Sequence, residues 1–188
     1  MSRWVLGDED LATVLFVCFV GPALVFTPLW SALGKRIGKK DGYVLSSLVL
    51  IAAAVILAFS RSAPMWLVFV ATGLVGLGYA GIQVFPMAML PDAAAVDMRR
   101  TGENRAGVFT GVWTAGETLG MAMGPGIYAL ILAAGGYISS DRPNDWTNQF
   151  QPDSALNAIT WGFSVLPAAL VLVSLVPLWF HRLDESEV

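Results

Sequence analysis

Five long apolar runs fill most of this chain, at residues 11–33, 43–60, 65–90, 106–134 and 158–180. A helix that crosses the hydrocarbon core of a bilayer needs roughly 17–25 apolar residues at 1.5 Å rise per residue, and each run is close to that length. The pattern predicts an all-α polytopic membrane protein of about five transmembrane helices, organised as one membrane domain over residues 1–188. The runs lack the strict in/out alternation of a lipid-facing strand, so a barrel is excluded. Pro22, Pro28, Pro86, Pro125, Pro167 and Pro177 fall inside the runs. Proline removes an internal hydrogen bond, so each is expected to kink or end its helix.

Composition narrows the function classes. Hydrophobic residues are 56% and charged residues 13% of the chain, where a soluble domain carries about 25% charged. Net charge is −3 and no basic tract points to nucleic acid. The single cysteine, Cys18, lies within the first run and permits no internal disulfide. Met1–Asp10 is polar and the first run is too long for a signal-peptide core, so no cleaved leader is expected. No nucleophile–base pair, phosphate-cradling loop or metal-ligand spacing is present, which argues against an enzyme. His181, the lone histidine, reads as an interfacial residue at a membrane exit. The methionines Met65, Met87, Met89, Met121 and Met123 read as packing residues rather than a metal set.

The eleven Lys and Arg are sorted by side. Lys35, Arg36, Lys39 and Lys40 lie between spans one and two, Arg99, Arg100 and Arg105 between spans three and four, and Arg182 after span five. Only Arg3, Arg61 and Arg142 fall on the other side. The positive-inside rule places the N-terminus outside and the C-terminus, with Glu185, in the cytoplasm. The polar stretch 135–157 is then an outer loop.

Span four carries Glu117 at its middle. A carboxylate at the bilayer centre costs about 2.5–3.5 kcal/mol on insertion scales, so Glu117 is expected to face protein, water or a solute path. Trp113, Glu117 and Met121 recur at four-residue spacing and share a face, with Thr110 and Thr114 nearby. Such a face suits a sugar-like ligand, whose ring stacks on the indole and whose hydroxyls donate to the carboxylate. The alternative is that Glu117 pairs with a polar group on a neighbouring helix. Gly107 and Gly111, and Gly116, Gly120 and Gly124, recur at the same spacing and predict close helix approach. Span three adds Gly73, Gly76, Gly78 and Gly81, with Tyr79 and Gln83 as further cavity candidates. Gln83 is expected to be a buried amide that lines a cavity or bridges two helices.

Two basic loops complete the pattern. Gly34-Lys35-Arg36-Ile37-Gly38-Lys39-Lys40-Asp41 reads as a glycine-punctuated turn. The stretch from Leu90 to Arg105 alternates acids and bases. It reads either as a salt-bridge cluster or as a solvated loop with screened pairs.

The order of these features resembles a known family. A span, G-K-R-x-G-K-K, two spans ending in L-P-D-x-x-x-x-D, and then R-R-T-G-E-x-R-x-G-V-F-x-G-V-W are similar to the C-terminal half of the glycoside–pentoside–hexuronide:cation symporters. These form the melibiose-permease branch of the major facilitator superfamily. The resemblance covers nearly all of residues 4–183 and is most specific over Pro91–Trp113. It implies helices eight to twelve of a twelve-helix transporter, with residues 3–9 at the outer end of helix seven. It also implies secondary active transport of a sugar-like solute coupled to Na⁺ or H⁺ by alternating access, in a bacterial inner membrane. The coupling-ion site and main sugar-binding acids of the family would lie in the absent N-terminal half. Many members have a lysine at the position of Glu117, so the carboxylate here departs from the pattern. On this reading Asp92, Asp97, Arg99, Arg100, Glu103 and Arg105 form a cytoplasmic gate. The partners would be membrane lipid, a small-molecule solute, and either an N-terminal half or a second copy. A lipid-handling transporter of the same fold and a non-transporting packing subunit are the competing readings.

Overall fold

The computed structural model describes residues 11–138 and 151–180. The expectations for Arg3, residues 3–9, Arg142, His181, Arg182 and Glu185 lie outside the described residues. Five helices follow one another: α1 (Leu11–Ile37), α2 (Lys39–Ala58), α3 (Met65–Thr101), α4 (Ala106–Ala134) and α5 (Asp153–Phe180). All five are long and apolar enough to cross a membrane, and no strand occurs among the described residues. Short connections reverse the chain between the first four helices. The Gly38 and Gly102–Arg105 turns therefore share one end of the bundle, the basic end, and residues 59–64 lie at the far end.

Helix runs on where the sequence reads as loop. The Gly34–Asp41 turn is almost all helix. α1 continues through Lys35 and Arg36 to Ile37, Gly38 alone is non-helical with φ 90°, and α2 starts at Lys39. A single glycine suffices because it enters the positive-φ region without the strain of a Cβ. Lys35 and Arg36 complement the negative end of α1, and Asp41 the positive end of α2. The expected loop from Leu90 is likewise helical as far as Thr101. Ala93–Ala95 are strong helix formers, Arg99 and Arg100 lie in the last turn, and Gly102, at φ 73°, stops the helix with its N–H on the Met98 carbonyl. None of the expected prolines ends its helix, since all lie inside α1, α3, α4 or α5. Hydropathy marks where a chain meets hydrocarbon, and a helix is free to extend into water beyond that point.

The packed core is α1, α2 and α3, with α5 laid on α2. Close approach is bought by glycines of α3. A Cβ on Gly76 would overlap the Phe19 carbonyl of α1, and one on Gly78 would lie 2.7 Å from the Leu50 nitrogen of α2. Toward the basic end, Phe85 is 1% exposed and its ring fills the space left by Gly34 and Gly42, where added Cβ atoms would strike it. Trp30 meets Phe85 edge-on at 5.9 Å and its Nε1 donates to the Leu77 carbonyl at 2.8 Å. Tyr43 Oη and Ser174 Oγ are hydrogen-bonded at 2.8 Å, tying α2 to α5. At the far end Arg61 donates to Asn157 Oδ1 at 2.6 Å and to Asp153 Oδ1 at 2.8 Å, joining the α2–α3 turn to α5.

α4 stands apart. None of its residues is buried, and it is fixed chiefly near its far end, where Tyr128 and Ile131 lie against Gly162 and Gly135 lies against Ala158. The expected tight packing at Gly107, Gly111, Gly116, Gly120 and Gly124 is not observed: a Cβ on any of them would meet open space. No described helix covers that surface, so small residues have nothing to admit.

Candidate functional site

Two groups of predicted residues separate in space. The first is the uncovered surface of α4. Gly107, Thr110, Gly111, Thr114, Ala115, Thr118, Leu119 and Ala122, all on α4, line a shallow, largely open groove along one face of that helix. Of the sequence candidates, Thr110 and Thr114 fall in it. Thr118 is a lining residue that the sequence reading missed, although it follows Thr114 at the same four-residue spacing that singled out the others. The groove's polarity has a direction. Thr110 Oγ1 donates to the Ala106 carbonyl at 3.0 Å, and Thr118 Oγ1 to the Thr114 carbonyl at 2.8 Å. A hydroxyl whose proton is held by the backbone one turn back offers only lone pairs to a ligand.

Glu117 is exposed and lies between Thr114 and Thr118 in sequence, at the flank of the groove rather than among its lining residues. Trp113 is half-buried, and its Nε1 is inaccessible with no hydrogen-bond partner among the described residues. Met121 is exposed. The α3 candidates do not join this groove. Tyr79 is exposed and its ring contacts Phe19 of α1 at 5.4 Å. Gln83 was expected to be a buried amide and is instead exposed. It sits on the surface of α3 turned away from the close approach at Gly78 and Gly81.

The second group is at the basic end. Asp92 does not pair with an arginine of its own segment. It accepts from Lys39 Nζ of α2, which also donates to the Ala88 carbonyl at 3.1 Å. This α2–α3 bridge joins the two basic segments that the sequence reading treated separately. Arg105 donates through Nε and Nη2 to Glu103 Oε2, at 3.0 and 2.8 Å. Both side chains are largely exposed, so the pair is worth little on its own. Asp97 Oδ2 is inaccessible and has no hydrogen-bond partner among the described residues. Its backbone carbonyl accepts from Thr101 Oγ1 at 2.9 Å. Arg99 and Arg100 project from the last turn of α3 and are exposed. No cluster of His, Cys, Asp and Glu able to hold a metal occurs among the described residues.

Residues 1–185 match the family model described as MFS/sugar transport protein. An uncharacterised symporter of Synechocystis sp. is 30% identical over 183 residues, which is 97% of this chain and 33% of that protein. An isoprimeverose transporter of Lactiplantibacillus pentosus is 29% identical over 190 residues, 100% of this chain and 35% of that protein. The chain thus spans about a third of the length of these curated relatives. No solved structure gives a significant match.

Proposed function

Because this integral membrane protein belongs to the MFS/sugar transport protein family, we propose that it forms part of a solute:cation symporter that works by alternating access, with the open surface of α4 as one wall of the solute path. The observation that carries this reading is the state of α4: an apolar, membrane-length helix whose one intramembrane acid and three groove-lining threonines are covered by no described helix. An ionisable residue at membrane depth is costly unless it meets water, protein or a ligand. Thr110, Thr118 and Glu117 are disposed as acceptors. A solute rich in hydroxyl donors satisfies them, and isoprimeverose, the sugar named for one relative, is of that class.

The remaining roles follow from the fold family's mechanics. Substrate sites of such transporters lie near the bilayer midplane between two repeats, and access alternates as one rocks against the other. The α4 surface would then be closed by a second wall, supplied by an N-terminal half or by a second copy of the chain. The basic end would face the cytoplasm. There Lys39, Asp92, Asp97, Arg99, Arg100, Glu103 and Arg105 would bias the two access states through pairs made in one and broken in the other. The coupling ion, Na⁺ or H⁺, would bind chiefly on the opposite wall.

The test is uptake of a labelled neutral glycoside, driven by an imposed Na⁺ or pH gradient, in vesicles holding the transport-competent protein. Glu117→Gln and Thr114→Val are expected to lower uptake at least tenfold at unchanged membrane abundance, roughly the loss of one or two hydrogen bonds to the solute. Unaltered uptake in both variants would remove α4 from the path.

A further inference from the structure

Gln151 stands two residues before α5 begins, and its side chain is buried, at 5% exposed. A buried amide carries an acceptor and donors that must be met. Gln151 meets them on a single residue. Its Oε1 accepts from the Ile138 N–H at 3.1 Å, and its Nε2 donates to the Ile138 carbonyl at 2.8 Å. The pairing is that of one rung of a β-ladder, with a side chain in place of the second strand. The Ile138 side chain is exposed, so what Gln151 grips is backbone.

The gripped residue lies just past the end of α4. The Tyr137 N–H reaches back to the Leu132 carbonyl and the Gly136 N–H to the Ala133 carbonyl, with Gly136 at φ 74°. That is a Schellman stop, which fixes the direction in which the chain leaves the helix. Beside it, Ser154, Ala158 and Gly162 recur at four-residue spacing on α5 and let α4 come close. Gly135 lies against Ser154 and Ala158, and Tyr128 and Ile131 lie against Gly162. Toward the basic end the support thins. Residues 114–126 are exposed throughout, and before them only Phe109 and Trp113 of α4 are half-buried. Thr118 and Thr114 lie about 24 and 30 Å along the helix from its last residue, Ala134. A tilt of about 5° at that end would displace them by about 2 Å, more than the ~0.5 Å within which a binding constellation must be held.

We propose that Gln151 is a positioning residue for the solute path: by clamping the Ile138 backbone it fixes the far end of α4 on α5, and with it the tilt of the threonine groove. This role rests on the reading of α4 as a wall of that path. Gln151 touches no solute and acts through the backbone at the end of α4. The grip needs a donor and an acceptor together, which an amide or a protonated carboxyl has and a carboxylate lacks.

Two variants test this. Gln151→Met removes both bonds at similar volume. Gln151→Glu makes the grip depend on pH: the introduced carboxylate meets the Ile138 carbonyl with lone pairs, whereas its protonated form donates there again. Burial raises the pKa of that carboxyl above the usual ~4.3, so the change falls between about pH 8 and about pH 5. The first readout is hydrogen exchange of residues 128–137 in the membrane-embedded chain, as a ratio to the unsubstituted chain at the same pH. Gln151→Met is expected to speed exchange about tenfold at both pH values, the weight of two hydrogen bonds, and Gln151→Glu to do so at the higher pH only. The second is uptake of a labelled neutral glycoside by the transport-competent protein, as the same ratio. KM is expected to rise about threefold or more in Gln151→Met, the misalignment of roughly one hydrogen bond to the solute. In Gln151→Glu it should rise at the higher pH and recover at the lower. A residue that only stabilised the fold would lower abundance and maximal rate and leave KM and its pH dependence unmoved. Should Gln151→Met fail to reach the membrane, Gln151→Glu carries both tests, since pH is changed after insertion. Exchange indifferent to either substitution, or no recovery of Gln151→Glu at low pH, overturns the clamp. If the clamp variants leave KM unchanged while Thr114→Val lowers uptake, α4 keeps its place in the path and the positioning role falls. If Thr114→Val is silent as well, the reading of α4 falls and the proposal with it.

Discussion

Gly76 and Gly120 carry the same absent side chain in opposite surroundings. Gly76 lies where α3 touches the Phe19 carbonyl, and Gly120 faces open space on α4. Gly76→Ala in this chain is expected to cost about 1–3 kcal/mol through overpacking. Gly120→Ala should be neutral or stabilising by up to about 1 kcal/mol, since alanine is the better helix former. Denaturant unfolding in detergent checks the pair, and equal effects would contradict the packing described. Four-residue spacing singles out Gly120 and leaves Gly76 unmarked, because such periodicity reports a shared helix face without saying what covers it. Glu117, Thr110 and Thr114 stand out in the sequence for a different reason: polar groups at membrane depth carry a cost that must be met somewhere. Thr118 was there to be read by the same rule. The Lys39–Asp92 bridge was not legible, because it joins residues 53 apart whose pairing depends on how α2 and α3 pack.

At the scale of elements, the apolar middles of all five helices were legible and their ends were not. A run of lysines or an acid-rich stretch reads as a loop because it leaves the membrane, yet backbone hydrogen bonding continues into water wherever alanine and well-placed end charges support it. α3 shows this most plainly, continuing through Asp92 and Asp97 to Thr101. How helices are tied was also outside the reach of pattern, since Tyr43 and Ser174 sit in spans with no shared motif. Tyr43→Phe and Ser174→Ala, taken through a double-mutant cycle, are expected to show a coupling near 0.6 kcal/mol, the average for interhelical hydrogen bonds in a membrane. The far-end tie should be weaker. The Asp153 side chain is 86% exposed, so Arg61→Ala should change stability by no more than about 1 kcal/mol, less in high salt. A larger, salt-insensitive loss would mean that the tie is shielded from water.

For the molecule as a whole, the decisive asymmetry is between a packed core of α1, α2, α3 and α5 and an α4 with no buried residue. The proposed orientation puts the basic end in the cytoplasm. In a Cys18→Ser background, a cysteine at Lys35 should then resist an impermeant thiol reagent applied from outside, while one at Ser62 reacts. The proposed path makes a further demand that residues 1–188 alone show no saturable, ion-dependent uptake, and that uptake appear when the missing wall is co-expressed. The most direct test of α4 as that path is solute protection. In the transport-competent, Cys18→Ser protein, single cysteines replace Thr110, Thr114 and Thr118, with Val173 on the exposed apolar side of α5 as the control. The account predicts that a water-soluble maleimide labels the three α4 positions, that saturating neutral glycoside slows this labelling severalfold, and that Val173 stays unlabelled throughout. Labelling at Thr110, Thr114 and Thr118 that is as low as at Val173, or that is indifferent to solute, would contradict it.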